Sequence, residues 1–369
     1  MAGLYVHIPF CLSKCRYCDF VSFPGRQADW DAYLLRLAGE MSSFSGRVFE
    51  TVYIGGGTPS LLSRDQLSGL FKAIQTHFTI AADAEISCEI NPGTVTEALA
   101  RHLYALGVNR VSLGAQSFSD RLLKTLGRAH ASRDVARSLS LLRQAGFTNI
   151  SLDLMQGIPG QTLGDAKASL EAAAASGTRH ISCYSLTVEE GTPLSRDIQA
   201  GKLALPDEDA ERAMADAARE ILEGAGFRQY EISNFAQEGY ACRHNCGYWR
   251  RLPYLGVGLA AHSFQNGTRT ANTQDLDAYL YGVTVVSREQ ISPEESRFET
   301  LMLGLRMTEG ISLHDFAAQY GVTFESLYGD TARRLERGGL LTWEKERVKL
   351  TRRGMDIQNT VLLELMEGI

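Results

Sequence analysis

The sequence of 369 residues predicts an α/β protein that contains a parallel sheet and a smaller C-terminal domain. Three observations predict this fold class. Short β-rich runs alternate with stretches of helical spacing up to residue 225. Gly107, Gly146 and Gly226 follow helical runs, as C-terminal caps do. After residue 292 the pattern changes to helices followed by a hairpin. Strand–helix units in series imply parallel strands with helices outside the sheet.

Six strand–helix units are predicted in order along the chain. The predicted strands are 4–8, 51–54, 85–90, 110–113, 149–155 and 180–186. The predicted helices are 29–44, 63–77, 96–106, 132–145, 163–175 and 206–223. In barrels of parallel strands, functional residues lie at the carboxyl ends of the strands, so these ends are the first places to search for a site.

The C-terminal part of the chain predicts a winged-helix-like domain. Helical runs at 298–307, 313–320 and 324–337 precede a hairpin with strands at 340–343 and 347–351. Eight basic and five acidic residues lie between positions 330 and 356, which is a weak footprint for phosphate binding. A lid or packing module is therefore favoured over a DNA-binding regulator. The predicted regions are 1–227 for the barrel, 228–291 for an extension and 292–369 for this domain.

Composition narrows the classes of function. A formal net charge of −6 argues against a general nucleic-acid-binding surface. No apolar run reaches the roughly 18 residues of a membrane span, and the N-terminus lacks the pattern of a signal peptide. The sequence contains seven cysteines, an odd number, which indicates reduced thiols and metal ligands. A cytoplasmic location is expected.

Three of the cysteines follow the first predicted strand with CxxxCxxC spacing: Cys11, Cys15 and Cys18. The loop 11–18 contains no further cysteine or histidine, so these thiolates cannot by themselves close a tetrahedral structural zinc site. The triplet fits an iron–sulfur cubane with one unligated iron better than zinc or free thiols, which stay open as alternatives.

The cysteine loop resembles that of the radical S-adenosylmethionine (SAM) superfamily, including the aromatic Tyr17 before the last cysteine. Its flanks, residues 7–10 and 18–20, are similar to the branch that holds oxygen-independent coproporphyrinogen III dehydrogenase (HemN) and the HemW-type heme chaperones. The resemblance implies a partial six-stranded (β/α) barrel and a [4Fe-4S] cluster. It also implies that the amino and carboxylate groups of SAM chelate the free iron, where SAM is cleaved to a 5′-deoxyadenosyl radical.

Polar residues and glycines end the second to fifth strands. The glycine run 55–57 lets a ligand approach the backbone, although a tight turn is the alternative. Glu89 could hold a ribose hydroxyl or an ammonium group, or could be a solvated acid. Gln116 and Arg128 suit a ribose and a carboxylate, and Asp153 lies in an apolar strand and needs a partner. The resemblance implies these SAM-binding residues: Tyr5, Gly56, Gly57, Thr58, Glu89, Gln116, Arg128 and Asp153.

A cluster of Cys, His and aromatic residues at 242–249 indicates either a heme environment or a polar loop stabilised by its aromatics. Cys242 and Cys246 as ligands of an auxiliary cluster are a weaker alternative. The HNxxYW spacing resembles the element that marks HemW-type chaperones. The resemblance implies these candidate heme-binding residues: His244, Cys242, Tyr248 and Trp249.

Two departures from the dehydrogenase pattern favour the chaperone. Phe20 stands where the dehydrogenases have a further cysteine, and ten residues precede Cys11 where they have a longer segment. The expected function is binding of heme and its transfer to acceptor proteins, for example of the respiratory chain. The alternative is a radical SAM enzyme that decarboxylates coproporphyrinogen III or transfers a methyl group. Whether the chain turns over a substrate stays open, as do homodimerisation and peripheral membrane contact.

Overall fold

The computed structural model describes residues 2–367 and has an α/β architecture built on one large sheet. Six neighbouring strands pair in parallel and in chain order, which confirms the predicted partial barrel. These strands are β1 (Gly3–Ile8), β2 (Arg47–Gly56), β3 (Phe78–Ile90), β4 (Arg110–Gln116), β5 (Asn149–Gln156) and β6 (His180–Ser185).

Eight helices accompany the barrel strands, and six of them match the predicted ones closely. They are α1 (Trp30–Ser42), α2 (Arg64–His77), α3 (Glu97–Ala105), α4 (Asp120–Leu126), α5 (Ser132–Gln144), α6 (Leu163–Ala175), α7 (Pro193–Gln199) and α8 (Glu208–Gly224). Helices α4 and α7 were not predicted, because seven residues give too short a repeat of apolar positions. Their local signals are the left-handed Gly127 after α4 and Pro193 at the start of α7.

Strands β2 and β3 begin earlier than predicted, at Arg47 and Phe78 instead of residues 51 and 85. The added residues of the two strands pair with each other in parallel register. Many of them are polar or exposed, so their sequence lacks the apolar run that marks a buried strand.

The extension adds strands to both edges of the barrel. The two outermost strands do not pair with each other, so the sheet stays open. The added strands are β7 (Arg228–Glu231), β8 (Asn234–Ala236), β9 (Tyr254–Val257), β10 (His262–Gln265), β11 (Thr268–Asn272) and β12 (Val285–Gln290). The strand order is β12-β11-β10-β9-β1-β2-β3-β4-β5-β6-β8-β7. Helix α9 (Arg243–Trp249) packs against β2 and β3, where it contacts Thr51 and Glu85, and α10 (Leu276–Leu280) packs on α1.

The C-terminal region has its own apolar core, separate from the core of the barrel. Its elements are α11 (Pro293–Gly304), β13 (Ile311–Ser312), α12 (Leu313–Tyr320), α13 (Phe324–Arg337), β14 (Leu341–Trp343), β15 (Arg347–Leu350), α14 (Arg352–Asp356) and α15 (Gln358–Glu367). Three helices and a hairpin follow the predicted order, and β13 completes a three-stranded sheet. Helices α14 and α15 were not predicted. Among residues 2–367, no helix combines the length and apolarity that crossing a membrane requires.

Candidate functional site

The carboxyl ends of the barrel strands and the cysteine loop surround a cavity of about 340 Å³, here called the barrel cavity. Its wall includes Cys11, Cys15 and Cys18. It also includes seven of the eight predicted SAM residues: Gly56, Gly57, Thr58, Glu89, Gln116, Arg128 and Asp153. The carboxyl ends of the parallel strands therefore bring together side chains that lie up to 142 positions apart in the chain, from Cys11 to Asp153.

Tyr5 is the predicted SAM residue that does not line the cavity. Its ring stacks on Tyr53, with the ring centroids 6.3 Å apart, and Tyr53 does line the cavity. Its hydroxyl hydrogen-bonds His7 Nδ1 at 2.9 Å. Tyr5 thus supports the wall of the cavity from behind.

The cysteine loop is anchored to the barrel through Arg16. The Arg16 backbone N–H donates to the Leu126 carbonyl at 3.0 Å, and the Arg16 side chain pairs with Asp197. All three cysteines are partly exposed and form no disulfide. Cys11 Sγ accepts a hydrogen bond from Thr58 at 3.5 Å, and Cys15 Sγ accepts one from Arg128 at 3.4 Å.

This donor set fits a cluster better than a single metal ion. Three thiols face one cavity, and a guanidinium and a hydroxyl donate to two of the sulfurs. Structural zinc takes four protein ligands, whereas three thiolates suit an iron–sulfur cubane with one open iron.

The glycine run packs directly against the backbone that enters the cysteine loop. The Gly57 N–H donates to the Ile8 carbonyl at 2.8 Å, and the Thr58 N–H donates to the Phe10 carbonyl at 2.7 Å. A Cβ on Gly57 would lie 2.6 Å from the Phe10 oxygen, and one on Gly56 would lie 2.4 Å from the His7 ring. Gly56 also has a φ of +107°, which favours glycine. Any side chain at Gly56 or Gly57 would therefore clash with the segment that enters the cysteine loop.

The Glu89 carboxylate is half-buried at the cavity wall and held by two donors. The Tyr53 hydroxyl donates to Oε1 at 2.8 Å and the Gly56 N–H donates to Oε2 at 3.0 Å. Burial raises the pKa of Glu89 to about 7, and the two hydrogen bonds oppose that rise. A carboxyl with this pKa changes charge near neutral pH.

Asp153 has the hydrogen-bond partners that its position in an apolar strand requires. The hydroxyls of Ser112 and Ser182 donate to its carboxylate at 2.8 and 2.9 Å. Burial raises its pKa, while these hydroxyls and the nearby Arg110 guanidinium oppose the rise. The serines leave the carboxylate facing the cavity.

Arg128 and Gln116 also line the cavity. Arg128 donates to the Gly114 carbonyl at 2.9 Å and contacts Asn91, while its Nε is buried without a partner. Gln116 has a φ of +62°, a conformation that is costly for a non-glycine residue and is enriched at functional sites. Both residues thus retain features that a bound ligand would explain.

The amino end of the barrel contains charged residues that the sequence analysis missed. Glu85 accepts hydrogen bonds from the backbone N–H groups of Arg243 at 3.1 Å and His244 at 3.0 Å, and so caps the start of α9. Arg110 donates to the Tyr240 carbonyl at 3.0 Å. Each charge occupies the first position of its predicted strand, 85–90 or 110–113, so no apolar run on both sides marks it as Asp153 is marked.

The predicted heme-binding residues face different parts of the molecule. Cys242 lines the barrel cavity, whereas Tyr248 and Trp249 line a second cavity. His244 is only 3% exposed, and its two ring nitrogens hydrogen-bond Thr51 and the Tyr248 hydroxyl, each at 2.9 Å. Burial lowers the pKa of His244 to about 3, so its ring is neutral at pH 7.

The second cavity has a volume of about 320 Å³ and lies between α9, strands β9 to β11, and α11. We call it the aromatic cavity because four aromatic side chains form its wall together with aliphatic and charged residues. The aromatic residues are Tyr248, Trp249, Tyr254 and Phe264. Arg251, Arg269 and Glu299 are its charged residues. A ligand here would contact both the extension and the C-terminal domain.

Comparisons with known proteins agree with this geometry. The model of the radical SAM superfamily matches residues 5–173, and the model of the HemN C-terminal domain matches residues 291–357. The solved structure of coproporphyrinogen III oxidase (HemN) from Escherichia coli superposes with a TM-score of 0.86 at 23% identity. That match covers 99% of this chain and 89% of the other, and confirms the fold.

Relatives of higher identity span nearly the whole chain. The chain is 41% identical to the heme chaperone HemW of Synechocystis sp., over 84% of this chain and 78% of the relative. It is 37% identical to the heme chaperone HemW of Bacillus subtilis, over 98% of each chain. It is 34% identical to the mitochondrial radical S-adenosyl methionine domain-containing protein 1 of Bos taurus, over 100% of this chain and 88% of the relative. The chain therefore belongs to the HemW family of the radical SAM superfamily.

Proposed function

We propose that this protein is a heme chaperone that binds heme and transfers it to acceptor proteins. The observation that carries the proposal is the 37% identity to a heme chaperone over 98% of both chains. The matched region includes α9 with its HNxxYW element. Membership of the radical SAM superfamily implies a [4Fe-4S] cluster and SAM as cofactors.

We assign the cluster to the cysteine loop and SAM to the barrel cavity. The proposed cluster ligands are Cys11, Cys15 and Cys18, whose sulfurs face the cavity. When bound, the cluster would offer one open iron to SAM and supply an electron to it. Hydrogen bonds from Arg128 and Thr58 would fix the orientation of two of the sulfurs.

Residues at the strand ends would bind and orient SAM. Glu89 would accept hydrogen bonds from its ammonium group or a ribose hydroxyl, and the Arg128 guanidinium would bind its carboxylate. Gln116 and Asp153 would hold ribose hydroxyls. Close contact between the glycine run and the loop would keep these groups at a fixed distance from the sulfurs. Tyr5 would act through Tyr53, which it contacts.

The proposed heme-binding residues remain His244, Cys242, Tyr248 and Trp249. Tyr248 and Trp249 offer an aromatic surface to the aromatic cavity. His244 would have to leave Thr51 or Tyr248 to ligate iron, because each ring nitrogen is already engaged. Its present contacts favour a role in positioning Tyr248.

We further propose a cytoplasmic protein whose acceptors belong to the respiratory chain, with no nucleic-acid partner. Much of the basic charge of the C-terminal domain is neutralised, which supports the last point. The paired basic residues include Arg333, Arg334, Arg347, Lys349 and Arg352. We also propose that the protein can form a homodimer and contact a membrane surface.

Anaerobic reconstitution of the cluster followed by heme titration tests the function. A Soret shift that saturates at one heme per chain is expected, with weaker binding in His244→Ala. A parallel assay measures 5′-deoxyadenosine with coproporphyrinogen III as substrate. Absence of any Soret shift in the wild-type protein would contradict the chaperone.

A radical SAM enzyme that acts on a tetrapyrrole is the second candidate, either a coproporphyrinogen decarboxylase or a methyltransferase. The HemN-like fold and the barrel cavity favour it. Phe20 disfavours decarboxylation, because its side chain lies at the cavity with 64% exposure where the dehydrogenase pattern has a cysteine. A decarboxylated product in the parallel assay would establish this candidate.

A further inference from the structure

The aromatic cavity lies where the C-terminal domain docks on the extension. Its wall is mainly apolar, with the rings of Trp249 and Tyr254 from one side and Met302 from α11 on the other. Ligand cavities of this kind pair large apolar walls with a few polar groups that fix the orientation of the ligand. The volume of about 320 Å³ is at the lower end for such sites.

Arg251 is the polar residue of this cavity with unused binding capacity. Its side chain is only 9% exposed, and it donates to Glu299 and Ser296, each at 2.8 Å. The guanidinium also lies 4.5 Å from the centre of the Phe264 ring. Its Nη2 is nevertheless buried without a partner, which is unfavourable for a donor of a charged group. Arg251 also has a φ of +55°, a conformation that is costly for arginine.

Two further features indicate an acidic ligand with a flat apolar body. Arg269 lies at the rim with 36% of its side chain exposed and donates to Glu299 at 2.5 Å. Glu299 thus neutralises one of two guanidinium charges, while the exposed Glu289 lies 3.6 Å from Arg269 and is screened by water. Trp249 Nε1 is a second buried donor without a partner in the same wall.

We propose that the aromatic cavity binds the edge of a porphyrin macrocycle and that Arg251 and Arg269 bind a propionate of the same molecule. This inference rests on the proposed function, because it takes heme as the ligand. A propionate would give the free Nη2 of Arg251 an acceptor and would form charge-assisted hydrogen bonds with both guanidinium groups. The macrocycle edge would pack on Trp249 and Tyr254.

This arrangement gives the two ends of α9 separate roles. His244 and Glu85 hold the helix against the barrel, and Tyr248 and Trp249 turn their rings toward the ligand. Recognition of the macrocycle therefore does not require His244 as the iron ligand. Iron-free porphyrin is consequently the informative probe, because it reports contacts with the macrocycle and the propionates alone.

The experiment titrates full-length protein with protoporphyrin IX and with its dimethyl ester and follows the porphyrin fluorescence. In Arg251→Gln we expect the affinity for the free acid to fall about tenfold to a hundredfold, and in Arg269→Gln by a smaller factor. The ester should bind more weakly than the acid to the wild type and equally to all variants. Arg250→Gln is the matched control, because Arg250 is exposed and pairs with Glu309 at 3.0 Å outside the cavity.

Folding of each variant is checked by thermal unfolding. Should Arg251→Gln not fold, the double variant R251Q/E299Q is used in its place, because it removes both charges of the buried pair. Unchanged free-acid affinity in both arginine variants, with heme binding by the wild type intact, would overturn the inference and leave the proposed function standing. Wild-type protein that binds heme but not protoporphyrin IX would also overturn it. Binding of neither molecule would reject both proposals.

Discussion

The strand-end part of the barrel cavity and helix α9, which borders the same cavity, use their polar side chains in different ways. In the cavity, the cysteine sulfurs are partly exposed and Arg128 Nε lacks a partner. In α9, both ring nitrogens of His244 are engaged and Glu85 caps the helix. The comparison teaches that residue type alone does not mark a ligand. What matters is whether the fold leaves the group a free donor or acceptor.

Removal of Cys15 should give the largest effect and tests the cavity side of the comparison. Cys15→Ala removes one of three ligands, and we expect reconstituted protein to lose nearly all of its iron–sulfur absorption. The measurement is the visible spectrum and bound iron per chain after anaerobic reconstitution. Cys88→Ala is the control, because this buried thiol lies in the core and outside the cavity. Equal amounts of bound iron in both variants would contradict the assignment of the cluster to the cysteine loop.

The cavity residues could be predicted from the sequence because parallel strands place their carboxyl ends at one edge. The positions of Glu89, Gln116 and Asp153 along the chain were therefore enough to bring them together. It could not be predicted that the residues of the HNxxYW element face different parts of the molecule, because this depends on how α9 packs. Contacts of His244 with Thr51, 193 positions earlier, appear only in the folded chain.

His244→Ala should give the next largest effect and tests the α9 side. The change leaves Thr51 and Tyr248 without partners and opens a cavity beside Tyr53, so we expect the free energy of unfolding to fall by about 2–4 kcal/mol. His244→Gln can keep hydrogen bonds and should lose less. Chemical denaturation at pH 7 measures both. Equal stability of wild type and His244→Ala would contradict the positioning role.

The same histidine predicts a pH dependence of stability. Its pKa of about 3 in the folded state lies below the unfolded value of about 6.5, so the unfolded chain binds the extra proton as the pH falls. Wild-type stability should therefore fall by about 2 kcal/mol more between pH 7 and pH 5 than that of His244→Gln. The other buried histidines are common to both proteins, so the difference isolates His244. Parallel curves would show that His244 titrates normally.

Gly57→Ala should give a smaller effect, confined to the cavity. A Cβ would lie 2.6 Å from the Phe10 oxygen and push the cysteine loop away from the glycine run, so we expect SAM affinity to fall about tenfold. Equilibrium dialysis with labelled SAM measures this. Gly69→Ala is the control, because a Cβ there meets nothing within 4 Å on the exposed face of α2. That variant should gain about 0.5–1 kcal/mol of stability and bind SAM normally. Similar SAM affinity in both variants would mean that the backbone contact does not position the ligand.

The last predicted effect, similar in size to that of Gly57→Ala, is a pH dependence of SAM binding that originates at Glu89. Burial raises the pKa of this carboxyl to about 7, and only the ionised form attracts an ammonium group. Between pH 8 and pH 6 the ionised fraction falls about tenfold, so wild-type SAM affinity should fall by a similar factor. Glu89→Gln should bind more weakly at pH 8 and show a flatter profile. Titration of SAM itself is common to both proteins, and its effect cancels in the comparison. A wild-type profile as flat as that of the variant would mean that Glu89 holds a neutral hydroxyl, and the ammonium group would then need another partner in the cavity.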